Sequence, residues 1–489
     1  MKTNKSLKLN MILNAINSIL GIVFPLITFP YVSRILGVEQ MGQYSFAASI
    51  VNYLILFSAL GISTYAIREG AKIRDDKEKL THFASEMFSI NCISTLISCL
   101  VYSALLLFVP KLHSYLILLV ILGTQVLFKT IGVEYIYSIE EDFLFKTIRN
   151  ILVNVLSLVL LFAFVRTEND LYVYAIVAVV ASCGAELFNC FYSRKYCKIL
   201  PTFRINWKKH LKPILIIFAM SLTVTIYVSS DTTILGILRD DYTVGIYSVS
   251  VKIYTVVKTV ISSILIVSIP RLSSLRKEES QHNEFVGTAS DIYRTLLTFT
   301  IPALVGIILL RKEIILILSD DSYIQATSSL ILLSIALLFC MGAYFWGQAI
   351  LVVNGKENIV FYITIASASL NIILNFILIP FWGEVAAALT TILSEALSYI
   401  LCMIFGRKII KPERIIGTIL KAIIGSAFIV GVYFLLKLLI TNRIVFTILV
   451  VAISVIIYLV VELALKNDAI ISIIASIKRK FSFKKRKET

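Results

Sequence analysis

The sequence predicts an all-α polytopic membrane protein of about 14 transmembrane helices. Three observations lead there: an apolar composition, recurring apolar stretches of spanning length, and a one-sided distribution of basic residues. Of the 489 residues, 58% are hydrophobic and 16% charged, with a mean hydropathy of +0.89. That exceeds the apolar share of a chain that folds in water.

A helix needs about 20 apolar residues to cross a hydrocarbon core of about 30 Å. Such stretches are expected near 9–31, 42–65, 83–109, 114–134, 148–165, 171–192, 213–237, 244–269, 295–318, 328–350, 359–380, 385–406, 415–440 and 444–465. The first, Leu9 to Tyr31, exceeds a signal-peptide core and no small-residue cleavage pattern follows it, so it is expected to be retained as a helix.

The net charge of +16 would suggest nucleic acid in a water-soluble chain, but here the basic residues follow loop topology. With the N-terminus inside, 34 Lys and Arg fall in cytoplasmic segments. The outer segments hold seven: Arg34, Lys111, Arg166, Arg239, Arg311, Lys312 and Arg443. The positive-inside rule then places both termini in the cytoplasm, and the basic tail 466–489 is expected against anionic lipid headgroups. The four histidines lie in or beside predicted loops and the seven cysteines form no CxxC pair, so neither a metal site nor a disulfide is expected. Cys183, Cys190 and Cys197, seven apart, read as packing residues on one helix face.

The chain also repeats itself. SRILGVEQMGQYS (33–45) and TTILGILRDDYTVGIYS (232–248) each end an odd-numbered helix on Ile-Leu-Gly and open the next on Gly-x-Tyr-Ser. Arg68 follows Gly42 by 26 residues, as Arg271 follows Gly245. Six helices separate the copies, so both halves share one orientation. The expected organisation is a six-helix lobe (1–192), a basic linker (193–212), a second six-helix lobe (213–406), two further helices (407–465) and the tail. Chance similarity of glycine-rich turns is the alternative.

Ionisable residues at membrane depth are costly and usually face a cavity or a partner. Glu134, Glu186, Asp231, Lys252, Lys258 and Glu395 are of this kind, whereas Glu86, Lys129, Lys421 and Lys437 lie near predicted helix ends and are expected to snorkel. Asp231 has Tyr227 one turn before it. Lys252 shares a face with Ser248, Thr255 and Thr259. An Asp231–Lys252 ion pair is one reading; the other has Lys252 facing an anionic substrate and Asp231 available for protonation. Asn10, Asn14, Asn17 and Gly21 share one face of the first helix and suit sugar hydroxyls or interhelical hydrogen bonds equally well. Pro25 and Pro30 are expected to bend that helix. The Glu140-Glu141-Asp142 cluster reads as a solvated turn paired with Lys146 and Arg149.

Several segments carry a family resemblance: FPYVSRILGVEQMGQYSFAASI (29–50), GISTYAIREGAKIRDDKEKL (61–80), EYIYSIEEDFLFKTIRN (134–150), HLKPILIIFAMSLTVTIYVSSDTTILG (210–236) and GIYSVSVKIY (245–254). In these the chain resembles the polysaccharide repeat-unit flippases of O-antigen and capsule assembly, within the multidrug/oligosaccharidyl-lipid/polysaccharide exporter superfamily. Tyr135 stands where that family usually has Trp.

The resemblance implies a protein of the bacterial cytoplasmic membrane that moves an undecaprenyl-pyrophosphate-linked oligosaccharide from the inner to the outer leaflet by alternating access of two lobes. Substrate contacts would then fall to Arg34, Arg68, Arg149, Lys252 and Lys258 for the anionic headgroup and to Asn10 and Asn14 for the sugar. Arg68 and Arg149 are also readable as interfacial anchors. Asp231 and Glu134 are the candidates for coupling to a proton or sodium ion, and a polysaccharide polymerase is a candidate partner. An inside-negative potential favours outward movement of an anion by about 2.3 kcal/mol per charge per 100 mV. No GxxxxGK[ST] loop is present, so direct ATP drive is not expected, and no cofactor is implied.

A multidrug exporter of the same superfamily is the alternative, and it would call for an acidic, aromatic path rather than deep lysines. A membrane glycosyltransferase or polymerase is a more distant one, since no outer loop much exceeds 15 residues.

Overall fold

The computed structural model describes residues 7–276, 282–472 and 474, with backbone only for 7–12, 14–19 and 22. The side chains of Asn10, Asn14 and Asn17, and the tail from 475 on, lie outside the described residues.

Fifteen α-helices follow in order among these residues. They are α1 (Leu7–Ala59), α2 (Ile62–Gly70), α3 (Lys77–Phe108), α4 (Pro110–His113), α5 (Leu116–Gly132), α6 (Tyr135–Ile139), α7 (Phe143–Phe164) and α8 (Leu171–Tyr192). Then come α9 (Trp207–Leu238), α10 (Asp241–Arg276), α11 (His282–Leu318), α12 (Ala326–Tyr344), α13 (Glu357–Gly406), α14 (Ile415–Leu439) and α15 (Arg443–Ala464). Three short 3-10 turns and a π turn (Phe345–Val352) complete the described secondary structure.

Ten stretches are long and apolar enough to cross a membrane, and α5 is a shorter apolar helix; the chain is a multi-pass membrane protein. Helices suit this setting because each satisfies its own backbone where water is absent. Two of the ten contain a break, so ten stretches and about fourteen expected helices count different things. In α1 the break is Gly37 (φ 75°) and in α13 it is Gly383 (φ 55°), both in the left-handed region that favours glycine. α1 runs through Pro25 and Pro30, where a bend is expected, and departs from helical φ/ψ at Gly37.

The described residues pack as two compact units, one up to Ser248 and one from Val249. In the first, the α1–α3, α5 and α7–α9 helices bundle together, with a core of Ile62, Tyr65, Leu80, Phe83, Met87, Ile136 and Ile214 at one end. Cys197 belongs to this core, but α8 ends at Tyr192, so the three cysteines do not share one helix face. All seven cysteines are free thiols.

In the second unit α11, α12 and α13 pack around Phe285, Leu337, Phe345, Trp346 and Ile350. The Tyr293 and Phe345 rings stack there with centroids 4.4 Å apart. Apolar side chains such as Leu107, Phe108 and Leu438 point outward from the two units. Lipid tails are as apolar as leucine, so helix association here depends on close packing and hydrogen bonds rather than on hydrophobic burial.

Candidate functional site

The repeated motifs meet within the first unit. A Cβ built on Gly42 would lie 1.8 Å from the Asp241 carbonyl oxygen and 3.0 Å from the Gly245 nitrogen; one built on Gly245 would lie 2.1 Å from the Val38 carbonyl oxygen. The start of α10 therefore touches the kinked region of α1 backbone to backbone, a contact only glycine permits on either side. Polar groups brace it. The Tyr115 hydroxyl donates to Asp241 Oδ1 at 2.6 Å, and Lys111 Nζ donates to the Ile237 and Arg239 carbonyls at 2.7 and 3.4 Å, satisfying the last turn of α9. The Thr243 amide donates to Asp240 and holds that carboxyl below the usual carboxylate range.

Asp231 sits on α9 in the same unit, buried, and accepts from the Tyr247 hydroxyl at 2.9 Å. Two positions on, the Thr233 hydroxyl donates to Ser49 at 2.9 Å, which links α9 to α1. Arg34 is exposed on α1.

At the other end of α5, Arg149 and Glu134 come together. Arg149 is 5% exposed; it donates to the Asn189 side-chain oxygen and to Asn150 Oδ1 at 2.9 Å, and its guanidinium lies 3.7 Å from Glu134 Oε1. Lys146 Nζ reaches the same Glu134 oxygen at 2.8 Å. Asn189 passes the contact on, donating to Glu186 Oε2 at 2.7 Å. Two cations thus face two carboxylates across α6, α7 and α8, an arrangement that offsets the desolvation of each member. The acidic turn beside it is not uniformly solvated as the sequence suggested. Glu141 pairs with Arg74 at 2.6 Å, not with Lys146, and Asp142 is buried and takes the Tyr196 hydroxyl. Arg68 is exposed, beside Glu69 at 3.1 Å and over the Tyr65 ring.

In the second unit Lys258 on α10 is half-buried, 4.0 Å from Glu395 Oε1 and 5.5 Å from the Tyr254 ring centroid. Lys252, a turn and a half earlier, is also half-buried, with Thr255 and Thr259 exposed on the same helix. Two amines within a helix long and apolar enough to cross a membrane, with hydroxyls alongside and one of them 4.0 Å from Glu395, can attract an anionic group that has left water.

A family described as polysaccharide biosynthesis protein matches residues 7–276, more than half of the chain. The chain belongs to the polysaccharide biosynthesis protein family. This family member is 23% identical over 418 residues to a putative O-antigen transporter of Escherichia coli (strain K12), covering 83% of this chain and 98% of that one. It is 24% identical over 382 residues to the capsular polysaccharide biosynthesis protein CapF of Staphylococcus aureus, covering 76% and 92%. Among solved structures it resembles the lipid II flippase MurJ in an inward closed conformation, with a TM-score of 0.76 and 18% identity over 94% of this chain and all of that one. An inward-facing multidrug resistance MATE family transporter gives a TM-score of 0.55 at 15% identity, over 84% and 98%. The polysaccharide biosynthesis family member therefore shares the fold of these transporters.

The sequence reading missed three polar clusters in this family member. Glu86, expected to snorkel, is 5% exposed. Its two oxygens take the Asn206 amide at 2.9 Å and His210 Nε2 at 3.2 Å, and His210 Nδ1 lies 2.9 Å from the Tyr65 hydroxyl. The reason is register: α3 begins at Lys77, six residues before the expected start, which moves Glu86 from the first turn to the third. We expect His210→Ala, which strands two buried polar groups, to destabilise the protein by about 1–3 kcal/mol and to lower its melting temperature more than Tyr65→Phe does.

In the second unit Asn375 donates to Asn371 Oδ1 at 3.1 Å and accepts from Thr390 at 2.5 Å, all three fully buried. The four-residue spacing of the asparagines was the available signal. Lastly, Arg294 binds Asp468 at 2.9 Å and Asn467 donates to Glu462, fastening the start of the tail to α11 and α15.

Proposed function

We propose that this chain is a flippase that moves an undecaprenyl-pyrophosphate-linked oligosaccharide repeat unit from the inner to the outer leaflet of the bacterial cytoplasmic membrane, for surface polysaccharide assembly. The observation that carries this reading is the pair of amines on α10, Lys252 and Lys258, the second lying 4.0 Å from Glu395. Lys252 and Lys258 place amines at membrane depth on α10, in a chain whose relatives, by name, serve O-antigen and capsule. A pyrophosphate headgroup needs such cations as it sheds water, while its polyprenyl tail can stay in lipid. Arg34 and Arg68, both exposed, are the proposed attracting residues at the two faces, and Arg149 is proposed to take part through its buried network.

Movement is proposed to follow alternating access of the sequence lobes 1–192 and 213–406, with both termini cytoplasmic. The contact between the two repeated motifs supports this. It lies on the side that the charge bias is expected to place outside, and such a backbone approach is proposed to part as that side opens. Asp231 and Glu134 are the proposed coupling residues for a proton or sodium ion. Asp231→Asn and Glu134→Gln should then each weaken the dependence of transport on an imposed gradient; undiminished, gradient-sensitive transport in both would remove coupling from the account.

The test is transport by the purified chain in proteoliposomes. Movement of a polyprenyl-pyrophosphate oligosaccharide between leaflets, lowered about tenfold or more by Lys252→Gln/Lys258→Gln, supports the reading. Export of cationic dyes with no movement of the lipid-linked sugar would replace it with a multidrug exporter.

A further inference from the structure

The segment from Ser193 to Lys212, which joins α8 to α9 and includes the first turns of α9, carries seven basic residues, and no Asp or Glu occurs anywhere between Glu186 and Asp231. Its backbone is held. The Leu200 amide donates to Ser85 Oγ at 3.3 Å, the Thr202 amide to Ser89 Oγ at 2.7 Å, and the Asn206 amide to Glu86 at 2.9 Å. Those partners lie on the third and fourth turns of α3, so the segment runs about 12–18 Å along that helix from its start at Lys77. Those turns open the apolar stretch expected at 83–109, which would put the segment at the edge of an apolar layer.

Being held gives the segment two sides. Cys197, Ile199 and Ile205 pack inward on the core of Tyr65, Phe83 and Ile214. Facing out are Leu200 at 61% exposure, Phe203 at 102% and Trp207 at 40%. Beside them Lys198, Arg204, Lys208, Lys209 and Lys212 are all exposed, and none forms an ion pair among the described residues. A fully exposed phenylalanine and an exposed tryptophan among uncompensated cations suit one environment: the interface of a leaflet carrying negative headgroups, where aromatic rings sit at headgroup level and cations gather anions.

We propose that the segment from Lys198 to Lys212 is a docking surface for the anionic phospholipids of the cytoplasmic leaflet, with Leu200, Phe203 and Trp207 as its anchors and the neighbouring Lys and Arg as its headgroup contacts. It is independent of the cargo: it commits to bulk anionic phospholipid, and the reading of the transported substrate stands or falls separately.

The full chain carrying Phe203→Cys labelled with bimane, in vesicles of phosphatidylcholine with 30 mol% phosphatidylglycerol, tests it, the signal of identically treated wild type being subtracted. One set of vesicles carries brominated phosphatidylglycerol and another an equal amount of brominated phosphatidylcholine. The proposal expects quenching in both, at least about twofold stronger by the brominated phosphatidylglycerol, with the preference lost at 1 M salt and in Lys198→Gln/Arg204→Gln/Lys208→Gln/Lys209→Gln. No quenching puts the linker off the membrane, and equal quenching by the two lipids makes it merely apolar; either overturns the proposal. So does a preference that survives the four substitutions, because the anionic lipid is then gathered elsewhere. Should that variant fold poorly, Arg204→Gln/Lys208→Gln, at two exposed sites, must at least halve the preference.

Discussion

Gly245→Leu is expected to reduce transport roughly 10- to 100-fold while leaving the protein in the membrane at normal abundance. A leucine Cβ at 245 would stand 2.1 Å from the Val38 carbonyl oxygen, and one at 42 would stand 1.8 Å from that of Asp241. No rotamer relieves a clash with backbone, so α1 and α10 must separate. Overpacking of this kind costs about 1–3 kcal/mol or more, enough to depopulate the closed contact by one to two orders of magnitude. Gly42→Leu should behave alike, since the two positions are counterparts in the repeat. Gly431→Leu on α14, where a Cβ meets nothing within 4 Å, should transport normally. A cysteine at Thr233, half-buried beside Ser49 near that contact, gives a second readout. An impermeant maleimide added outside should label Thr233→Cys faster when Gly245→Leu is also present. Equal labelling in the two backgrounds would mean that the glycine contact gates nothing.

The second large effect is on stability. Arg149→Met is expected to lower it by about 1–3 kcal/mol, because the substitution leaves part-exposed Glu134 and buried Glu186 with Lys146 and the more distant Lys129 to balance them. Arg149→Met/Glu186→Gln removes one charge of each sign and should recover most of the loss in a thermal melt. The pair also separates two roles for Arg149. Recovered stability with transport still absent places the arginine in headgroup handling, and recovery of both makes it a brace. An unchanged melting temperature for Arg149→Met alone would contradict the network.

How much of this was legible follows from what a bilayer enforces. Helices α3, α5, α7, α8, α14 and α15 could be read from hydropathy because a spanning segment must satisfy its own backbone, whatever its neighbours are. The two motifs were legible as well, down to Gly42 and Gly245, because a motif is a matter of order along the chain. What the glycines touch was not, since contact between α1 and α10 depends on how each helix is rotated about its axis. The same limit hid the partners of Arg149: Asn189, Glu186 and Glu134 lie on other elements, and only packing sets them around one guanidinium.

Glu86 was misread for a different reason. A helix start judged by hydropathy omitted the polar first turns from Lys77, which Asp76 caps by accepting from the Lys79 amide. A shift of six residues turned a buried partner of His210 into an apparent interfacial charge. Asp142 illustrates the converse: three acidic residues in a row suggested solvent, yet one of them is buried against Tyr196.

A chain that carries completed, lipid-linked repeat units across the membrane should be needed for them to leave the inner leaflet. Deleting its gene and analysing the polyprenyl-pyrophosphate pool tests this most directly. Complete repeat units are expected to accumulate on the inner leaflet and surface polysaccharide to be lost, with the wild-type chain, but not Gly245→Leu, reversing both. Normal surface polysaccharide with no accumulated intermediate would contradict it.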